Sequence, residues 1–245
     1  MNSTTPGQRH VYRDGDVELI GEIYRPSGQA NGRAILVVHE ADGIGGNVRR
    51  HCAKLAEDGY VVLAADMHGG GRVLQGEEMF AALERFKDNP SLIRQRVRAG
   101  FDELLAVSGL DAARCAAIGF CFGGFTVLEL ARSGAPVAAV GSFHGLLTTK
   151  EPAQPDRKMA RIAVFTGDRD PLVPPEDVAA FEAEMRQAQA DWQLTNYGPA
   201  FHSFTNEDVG SLGDPRMRYD RAAHSLSWKA LKDFLDISLA PSPAE

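Results

Sequence analysis

Short runs of apolar residues alternate along the chain with segments in which apolar residues recur at helical spacing. Continuous apolar runs are typical of parallel strands that are buried on both faces. Such runs predict strands at residues 34–38, 60–65, 114–120, 137–143, 161–166 and 192–197. The helical segments are residues 48–58, 77–88, 91–108, 123–132 and 175–188. A last helix is predicted to open at Asp214-Pro215 and run to about residue 238, with an apolar face formed by Leu226, Ala230, Leu231, Phe234 and Leu235.

The N-terminal part of the chain has a different pattern. Residues 10–13 and 17–24 flank the turn sequence Asp14-Gly15-Asp16 and predict a β-hairpin. Right-handed crossovers between the later strands then give one mostly parallel central sheet with helices on both faces. We therefore expect a single α/β domain over residues 1–245, with a disordered tail at about residues 240–245. Ligands of such sheets bind at the carboxyl ends of the strands.

Composition narrows the class of protein. The 245 residues carry 26 Lys and Arg against 33 Asp and Glu, a formal net charge of −7, so we expect no nucleic acid partner. No apolar run approaches the roughly 20 residues that a membrane span needs, and residues 1–9 lack the apolar core of a signal peptide. Three widely spaced cysteines fit neither a disulfide framework nor a zinc pattern. These features predict a cytoplasmic protein with free thiols, either a monomer or a dimer.

The sequence Gly119-Phe120-Cys121-Phe122-Gly123 lies between a predicted strand and a predicted helix. It has the Gly-x-nucleophile-x-Gly form of a nucleophile elbow, with cysteine in place of serine. Glycines on both sides leave room for a sharp reversal of the chain, and the N-terminus of the following helix favours a thiolate. The alternative is a buried cysteine in a tight turn, so the partners of Cys121 decide between the two interpretations.

Two further segments each follow a predicted strand and supply the partners that a cysteine nucleophile needs. Gly167-Asp168-Arg169-Asp170-Pro171 offers two carboxylates, and Phe201-His202-Ser203 follows the last strand. The chain order nucleophile, acid, histidine is that of the α/β-hydrolase fold, which brings the three groups together. We therefore predict a triad of Cys121, Asp170 and His202 on this fold. A turn aspartate and a surface-loop histidine are the alternative interpretations.

The loop after the first parallel strand, residues 39–43, supplies the second oxyanion-hole amide in this fold. We expect the backbone N–H groups of Ala41 and Phe122 to hold the oxyanion, with Glu40 directed into the site. A solvated loop carboxylate is the alternative for Glu40. The sequence His68-Gly69-Gly70-Gly71 is similar to an esterase oxyanion motif, but it follows a strand too late for that role.

No sequence signal indicates a cofactor or a metal. The segment Gly43-Ile44-Gly45-Gly46 lacks the third glycine of a dinucleotide fingerprint, and no Walker-type loop occurs. His39-Glu40 lacks the second histidine that a zincin carries four residues after the first. Cys52 and Cys115 fit core thiols, one on a helix face and one within a strand. We therefore expect a site that needs neither a metal nor a cofactor.

The Gly-Phe-Cys-Phe-Gly-Gly elbow at Cys121 and the Phe-His-Ser-Phe sequence at His202 resemble the dienelactone hydrolase family of α/β-hydrolases. The resemblance covers about residues 10–238, with Glu40 and Asp170 at the matching places. It implies hydrolysis of a lactone or other ester, as in a carboxymethylenebutenolidase, through a thioester-type acyl-enzyme. It also implies that Glu40 helps to ionise Cys121 once the substrate is bound.

One position departs from the family pattern. Members that cleave dienelactone carry an arginine four residues past the catalytic histidine, which holds the substrate carboxylate, and this chain has Asn206 there. An amide does not replace the bidentate binding of a carboxylate by arginine, which speaks against dienelactone as the substrate. The candidate substrate contacts are Asn206, Arg72 in the glycine-rich loop, and His144 just past the strand at residues 137–143.

Three functions are compatible with these residues. The leading hypothesis is a cysteine hydrolase that cleaves a small-molecule lactone or ester. A broad-specificity esterase or acyltransferase would carry the same triad, because specificity depends on the pocket. A thiol sensor or binding protein on the same scaffold would use Cys121 without turnover.

Overall fold

The computed structural model describes residues 7–239, so the predicted tail at residues 240–245 lies outside the described residues. The strands within that range are β1 (Gln8–Asp14), β2 (Val17–Tyr24), β3 (Ala34–Val38), β4 (Val61–Ala65), β5 (Cys115–Phe120), β6 (Ala139–Phe143), β7 (Arg161–Gly167) and β8 (Trp192–Tyr197). The α-helices are α1 (Gly46–Glu57), α2 (Gly76–Asp88), α3 (Pro90–Ser108), α4 (Phe122–Arg132), α5 (Pro175–Gln187) and α6 (Arg221–Ser238). Short 3-10 turns occupy Ala112–Arg114 and Val209–Leu212.

The strands form one sheet in the order β1-β2-β4-β3-β5-β6-β7-β8. β1 and β2 are the predicted hairpin, and β2 joins the sheet antiparallel to β4. All other neighbours pair in parallel. The predicted α/β fold, a mostly parallel sheet preceded by a hairpin, is therefore confirmed.

Helices cover both faces of this sheet, which explains why its central strands are apolar on both sides. One core lies between the sheet and α1 and α6, and the other lies beneath α3, α4 and α5. Cys52 and Cys115 are free and fully buried in these cores, as expected for structural thiols. None of the helices within residues 7–239 has the length and apolar character needed to cross a membrane.

The last helix begins later than the sequence pattern predicted. α6 starts at Arg221 and not at Asp214-Pro215. The Asp214 carboxylate instead accepts hydrogen bonds from the backbone N–H and the side chain of Arg216, which closes a local turn. Arg216 O then accepts from the N–H of His202, and Arg218 N donates to His202 O. This pairing keeps the segment extended and fixes the backbone of the His202 loop.

Asp220 provides the N-cap that the pattern had assigned to Asp214. Its Oδ1 accepts hydrogen bonds from the N–H groups of Ala222 and Ala223, which have no partner inside the helix. Leu226 is 59% exposed, so its predicted place on the apolar face is wrong. The buried face of α6 is formed by Ala223, Ser227, Trp228, Leu231, Phe234 and Leu235.

Candidate active site

Cys121 lies at the sharp turn between β5 and α4, at the carboxyl edge of the sheet. Its backbone has φ 53° and ψ −114°, a conformation that costs energy in a residue with a side chain. A Cβ atom on Gly119 would lie 2.1 Å from Gly123 O, and one on Gly123 would lie 2.1 Å from Val38 O. Both glycines are thus required by close backbone contacts, and together they hold Cys121 in the elbow.

The three predicted triad residues are brought together by the ends of β5, β7 and β8. His202 Nε2 lies 3.1 Å from Cys121 Sγ, and His202 Nδ1 donates to Asp170 Oδ2 at 2.7 Å. Asp170 and His202 are buried, whereas Cys121 is partly exposed. The other Asp170 oxygen accepts the N–H of Leu172 at 2.8 Å, which fixes the orientation of the carboxylate. Of these three residues, Cys121 is therefore the one that a small molecule can reach.

The surroundings of His202 favour its protonated form. Burial on its own would lower the pKa of His202, but the Cys121 sulfur and the Asp170 carboxylate together raise it above its usual value. The hydrogen bond from Nδ1 to Asp170 leaves Nε2 directed at the sulfur. An imidazolium in this position stabilises a neighbouring thiolate, which is the nucleophilic form of cysteine.

Glu40 follows β3 and belongs to the same cluster. Asn206 Nδ2 donates to its carboxylate, at 3.1 Å to Oε2 and 3.3 Å to Oε1. Burial and the nearby Asp42 carboxylate raise the pKa of Glu40 to about 7, while Asn206 and His202 act in the opposite direction. Glu40 is therefore a carboxyl group that changes its charge near neutral pH, next to the histidine of the cluster.

Two backbone amides at this edge of the sheet are free to bind an anion. Within residues 7–239, the N–H groups of Ala41 and Phe122 donate no hydrogen bond to another protein atom. Unpaired N–H groups are rare in protein interiors, and a pair of them is what an oxyanion hole consists of. The two loops that carry them are adjacent, because Gly123 packs directly against the carbonyl groups of Val38 and His39.

Arg72 and His144, the other two candidate substrate contacts, both bind protein groups in the structure. The Arg72 guanidinium pairs with Glu78 on α2 at 2.8 Å and donates to the carbonyl groups of its own loop, and its side chain is 56% exposed. His144 is fully buried beneath the elbow. Its Nδ1 accepts the N–H of Cys121 at 3.1 Å, and its Nε2 donates to Thr205 Oγ1 at 2.8 Å. His144 therefore contacts the backbone of Cys121 and has no exposed surface to offer a substrate.

The sequence analysis gave no role to several residues that contact the candidate site residues or their loops. Thr205 links His144 to the His202 loop, and the rings of His39 and His68 lie next to each other, with 4.8 Å between centroids and 45° between planes. Their only signal in the sequence is a place next to a candidate residue, which does not reveal where a side chain points. No cluster of three or more metal-ligating side chains occurs among the described residues 7–239.

The family model described as the dienelactone hydrolase family matches residues 19–239. The chain belongs to the dienelactone hydrolase family. The family predicted from the elbow at Cys121 is thereby confirmed, and with it a hydrolase that acts on carboxylic esters. A probable 2-oxo-3-(5-oxofuran-2-ylidene)propanoate lactonase of Bradyrhizobium sp. is 30% identical to this chain over 183 residues, which are 70% of this chain and 73% of that protein.

Two solved structures are similar to this member of the dienelactone hydrolase family over almost its whole length. The structure named m3DLH has a TM-score of 0.88 and 36% identity, and covers 95% of this chain and 98% of its own. The dienelactone hydrolase-like promiscuous phosphotriesterase P91 from metagenomic libraries has a TM-score of 0.89 and 35% identity, over 94% of this chain and 97% of its own.

Proposed function

We propose that this protein hydrolyses a lactone or another carboxylic ester through a triad of Cys121, His202 and Asp170. The observation that carries the proposal is the hydrogen-bonded chain from the carboxylate through the imidazole to the sulfur, with distances of 2.7 Å and 3.1 Å. The sulfur is partly exposed in an elbow whose backbone is held in a strained conformation. Strain of this kind is retained where a function requires it.

In the proposed mechanism the Cys121 thiolate attacks the ester carbonyl carbon. The carbonyl electron pair moves onto oxygen, and the N–H groups of Phe122 and Ala41 hold the resulting oxyanion. Collapse of this intermediate forms a thioester and expels the alkoxide, which takes the proton from His202 Nε2. His202 next removes a proton from water, which attacks the thioester and releases the acid and the thiolate. In a lactone the alcohol stays attached to the acyl group, so hydrolysis of the thioester has to be faster than ring closure by that alcohol.

Glu40 has a place in the first step of this mechanism. Ionised Glu40 would accept the thiol proton when Cys121 starts as the neutral thiol, which supplies the thiolate in the presence of substrate. A carboxyl group with a pKa of about 7 suits this role, because it is a stronger base than an ordinary glutamate and about half of it is ionised at pH 7.

The proposed substrate is uncharged near the reacting carbonyl. Glu40 and Asp42 place carboxyl groups at the site, and Asn206 is engaged with Glu40. The Arg72 guanidinium, the candidate cation, is paired with Glu78. A substrate carboxylate would meet these acidic groups, and the candidate arginine is already paired, which argues for neutral lactones and esters over dienelactone.

A panel of neutral lactones, an anionic lactone and p-nitrophenyl esters tests the proposal. We expect multiple turnovers with neutral substrates, loss of turnover in Cys121→Ala, and loss on alkylation of wild type. Cys115→Ala is the matched control, because it removes a free thiol that lies buried in β5, away from the cluster. Full activity of Cys121→Ala would refute the nucleophile, and a single stoichiometric burst in wild type would indicate a thiol sensor or binding protein.

Hydrolysis of phosphotriesters is a second candidate. The similarity to the promiscuous phosphotriesterase P91, 35% identity over 94% of this chain, favours it. The same partly exposed sulfur could attack phosphorus and expel an aryloxide, and the same N–H groups would stabilise the phosphoryl oxygen. Turnover of a p-nitrophenyl phosphotriester that disappears in Cys121→Ala would support this activity, and turnover that persists would assign it to another group.

A further inference from the structure

The glycine loop, residues 68–71, is fixed by one carboxylate. The three glycines have positive φ values of 87°, 65° and 65°, which lets the backbone turn tightly and present its N–H groups to one point. That point is the carboxylate of Asp66, which accepts hydrogen bonds of 2.7–2.9 Å from the N–H groups of Ile20, His68, Gly69 and Gly71. Three of these donors belong to the loop and the fourth lies on β2, so the loop is fixed to the sheet and can place a side chain accurately.

The side chain that this loop places is the imidazole of His68. Its Nε2 donates to Ala41 O at 2.9 Å. Its ring also lies nearly parallel to the ring of Phe122, with 6.0 Å between centroids and 11° between planes. His68 thus contacts both residues whose backbone N–H groups form the proposed oxyanion hole.

Ala41 is held through the peptide units on both of its sides. On its N-terminal side, Glu40 O accepts from His39 Nδ1 at 2.5 Å and from the N–H of Gly43 at 3.3 Å. On its C-terminal side, Ala41 O accepts from His68. Peptide units are planar and trans, so holding Glu40 O sets the direction of the Ala41 N–H in the same unit, and holding Ala41 O fixes the next unit and so restricts rotation about the backbone dihedrals of residue 41. That direction decides whether the N–H can reach an oxyanion.

Stability alone does not account for a histidine at position 68. Its Nδ1 is buried and has no hydrogen-bond partner among residues 7–239, which costs free energy that a phenylalanine would avoid. A phenylalanine could make the same ring contact with Phe122. The feature that only the histidine offers is the N–H that binds Ala41 O.

We propose that His68 is a positioning residue for the oxyanion hole: it orients the Ala41 amide through Ala41 O and supports Phe122 from beneath. This inference rests on the proposed function, because it assigns a role within the proposed ester cleavage. The His-Gly-Gly-Gly sequence then serves the oxyanion indirectly, through the histidine side chain. The N–H groups of His68, Gly69 and Gly71 are occupied by Asp66, and that of Gly70 by Glu18 O.

The test compares two reactions of the same sulfur in His68→Phe. Acylation by a p-nitrophenyl ester passes through an oxyanion, whereas alkylation by iodoacetamide does not. We expect kcat/KM for the ester to fall at least about tenfold with little change in KM, since loss of one oxyanion donor costs about 10²–10³-fold in kcat. The rate of Cys121 alkylation should stay within about twofold of wild type. His68→Gln, which restores an N–H donor, should recover part of the loss.

His10→Phe is the matched control. It removes a histidine hydrogen bond, to Glu103, and keeps a stacked ring contact, with Tyr12, as His68→Phe does at the site. Unchanged acylation in His68→Phe, or an equal fall in acylation and alkylation, would overturn the proposal. Failure of wild type to turn over esters, or full turnover by Cys121→Ala, would refute the proposed function itself, so the two failures are distinguishable.

Discussion

Glu40 changes charge near neutral pH, and replacing it with glutamine tests whether its ionised form drives catalysis. Burial and the Asp42 carboxylate raise its pKa from 4.5 to about 7. A base must be deprotonated to accept the thiol proton, so the acylation rate should rise with pH as Glu40 ionises. Glu40→Gln keeps the size of the side chain and removes the titration. We therefore expect the rate to fall and its rise around pH 7 to disappear.

The size of the pH effect follows from the pKa. A group with a pKa of about 7 is about one-tenth ionised at pH 6 and about nine-tenths ionised at pH 8. The wild-type acylation rate should therefore rise about tenfold between these values. A glutamate with the ordinary pKa of 4.5 would already be ionised at pH 6 and would give a flat profile over the same interval.

Two neighbours of Glu40 should move this profile in opposite directions. Asp42→Asn removes a negative charge that raises the pKa of Glu40, so the rise should move to lower pH. Asn206→Leu removes the hydrogen bond that stabilises the ionised carboxylate, so the rise should move to higher pH. A titration of His202 would not respond in this paired way to both substitutions.

The assay is the single-turnover release of p-nitrophenol, followed by stopped flow at its isosbestic wavelength between pH 5 and pH 9. The rate of Cys121 alkylation over the same range reports the titration of the free enzyme. Persistence of the rise near pH 7 in Glu40→Gln would remove Glu40 from the acylation step. Unmoved profiles in both Asp42→Asn and Asn206→Leu would show that another group limits the rate.

Three further substitutions probe the triad, the elbow and the core. Asp170→Asn should lower kcat about 10³–10⁴-fold in ester assays, because the amide no longer stabilises protonated His202, and a loss below tenfold would contradict this. Gly123→Ala should destabilise the fold by about 3 kcal/mol or more in urea unfolding, because its Cβ would meet a carbonyl oxygen at 2.1 Å; a wild-type midpoint would show that the elbow can relax. Glu129→Gln should lower the free energy of unfolding by about 3 kcal/mol, because Arg94 and Arg132 both lose their ion pair with a buried carboxylate. Asp102→Asn breaks the exposed ion pair with Arg98 and should lower it by less than about 1 kcal/mol. Equal effects of the two substitutions would refute the argument from burial.

Local patterns in the sequence were enough to predict most strands and helices and three candidate site residues. Apolar runs predicted the buried strands because a strand covered on both faces has no polar side to display. The elbow at Cys121 could be predicted because the turn requires glycine two residues before and two residues after the cysteine. The places of Asp170 and His202 followed from chain order, because parallel strands end at one edge of a sheet. These features depend on a few consecutive residues and on topology.

Contacts between distant loops could not be read in the same way. The pairing of Asn206 with Glu40 spans 166 positions, and that of His144 with Thr205 spans 61. Such contacts depend on the path of each loop and on the rotamer of each side chain, for which the sequence has no periodic signal. The same limit explains the start of α6, because Asp214 and Asp220 are both acceptable N-caps and only the pairing of residues 216–218 with the His202 backbone excludes the first.

The sequence by itself determined the order of strands and helices, the nucleophile elbow and the family, since each of these is encoded by short-range spacing. Only the tertiary structure decided which groups surround the Cys121 sulfur. It turned Arg72 outward to Glu78, buried His144 under the elbow and set His68 against Ala41. The physical reason is that a hydrogen bond requires a distance of about 3 Å and an aligned donor, conditions that only the folded loops establish.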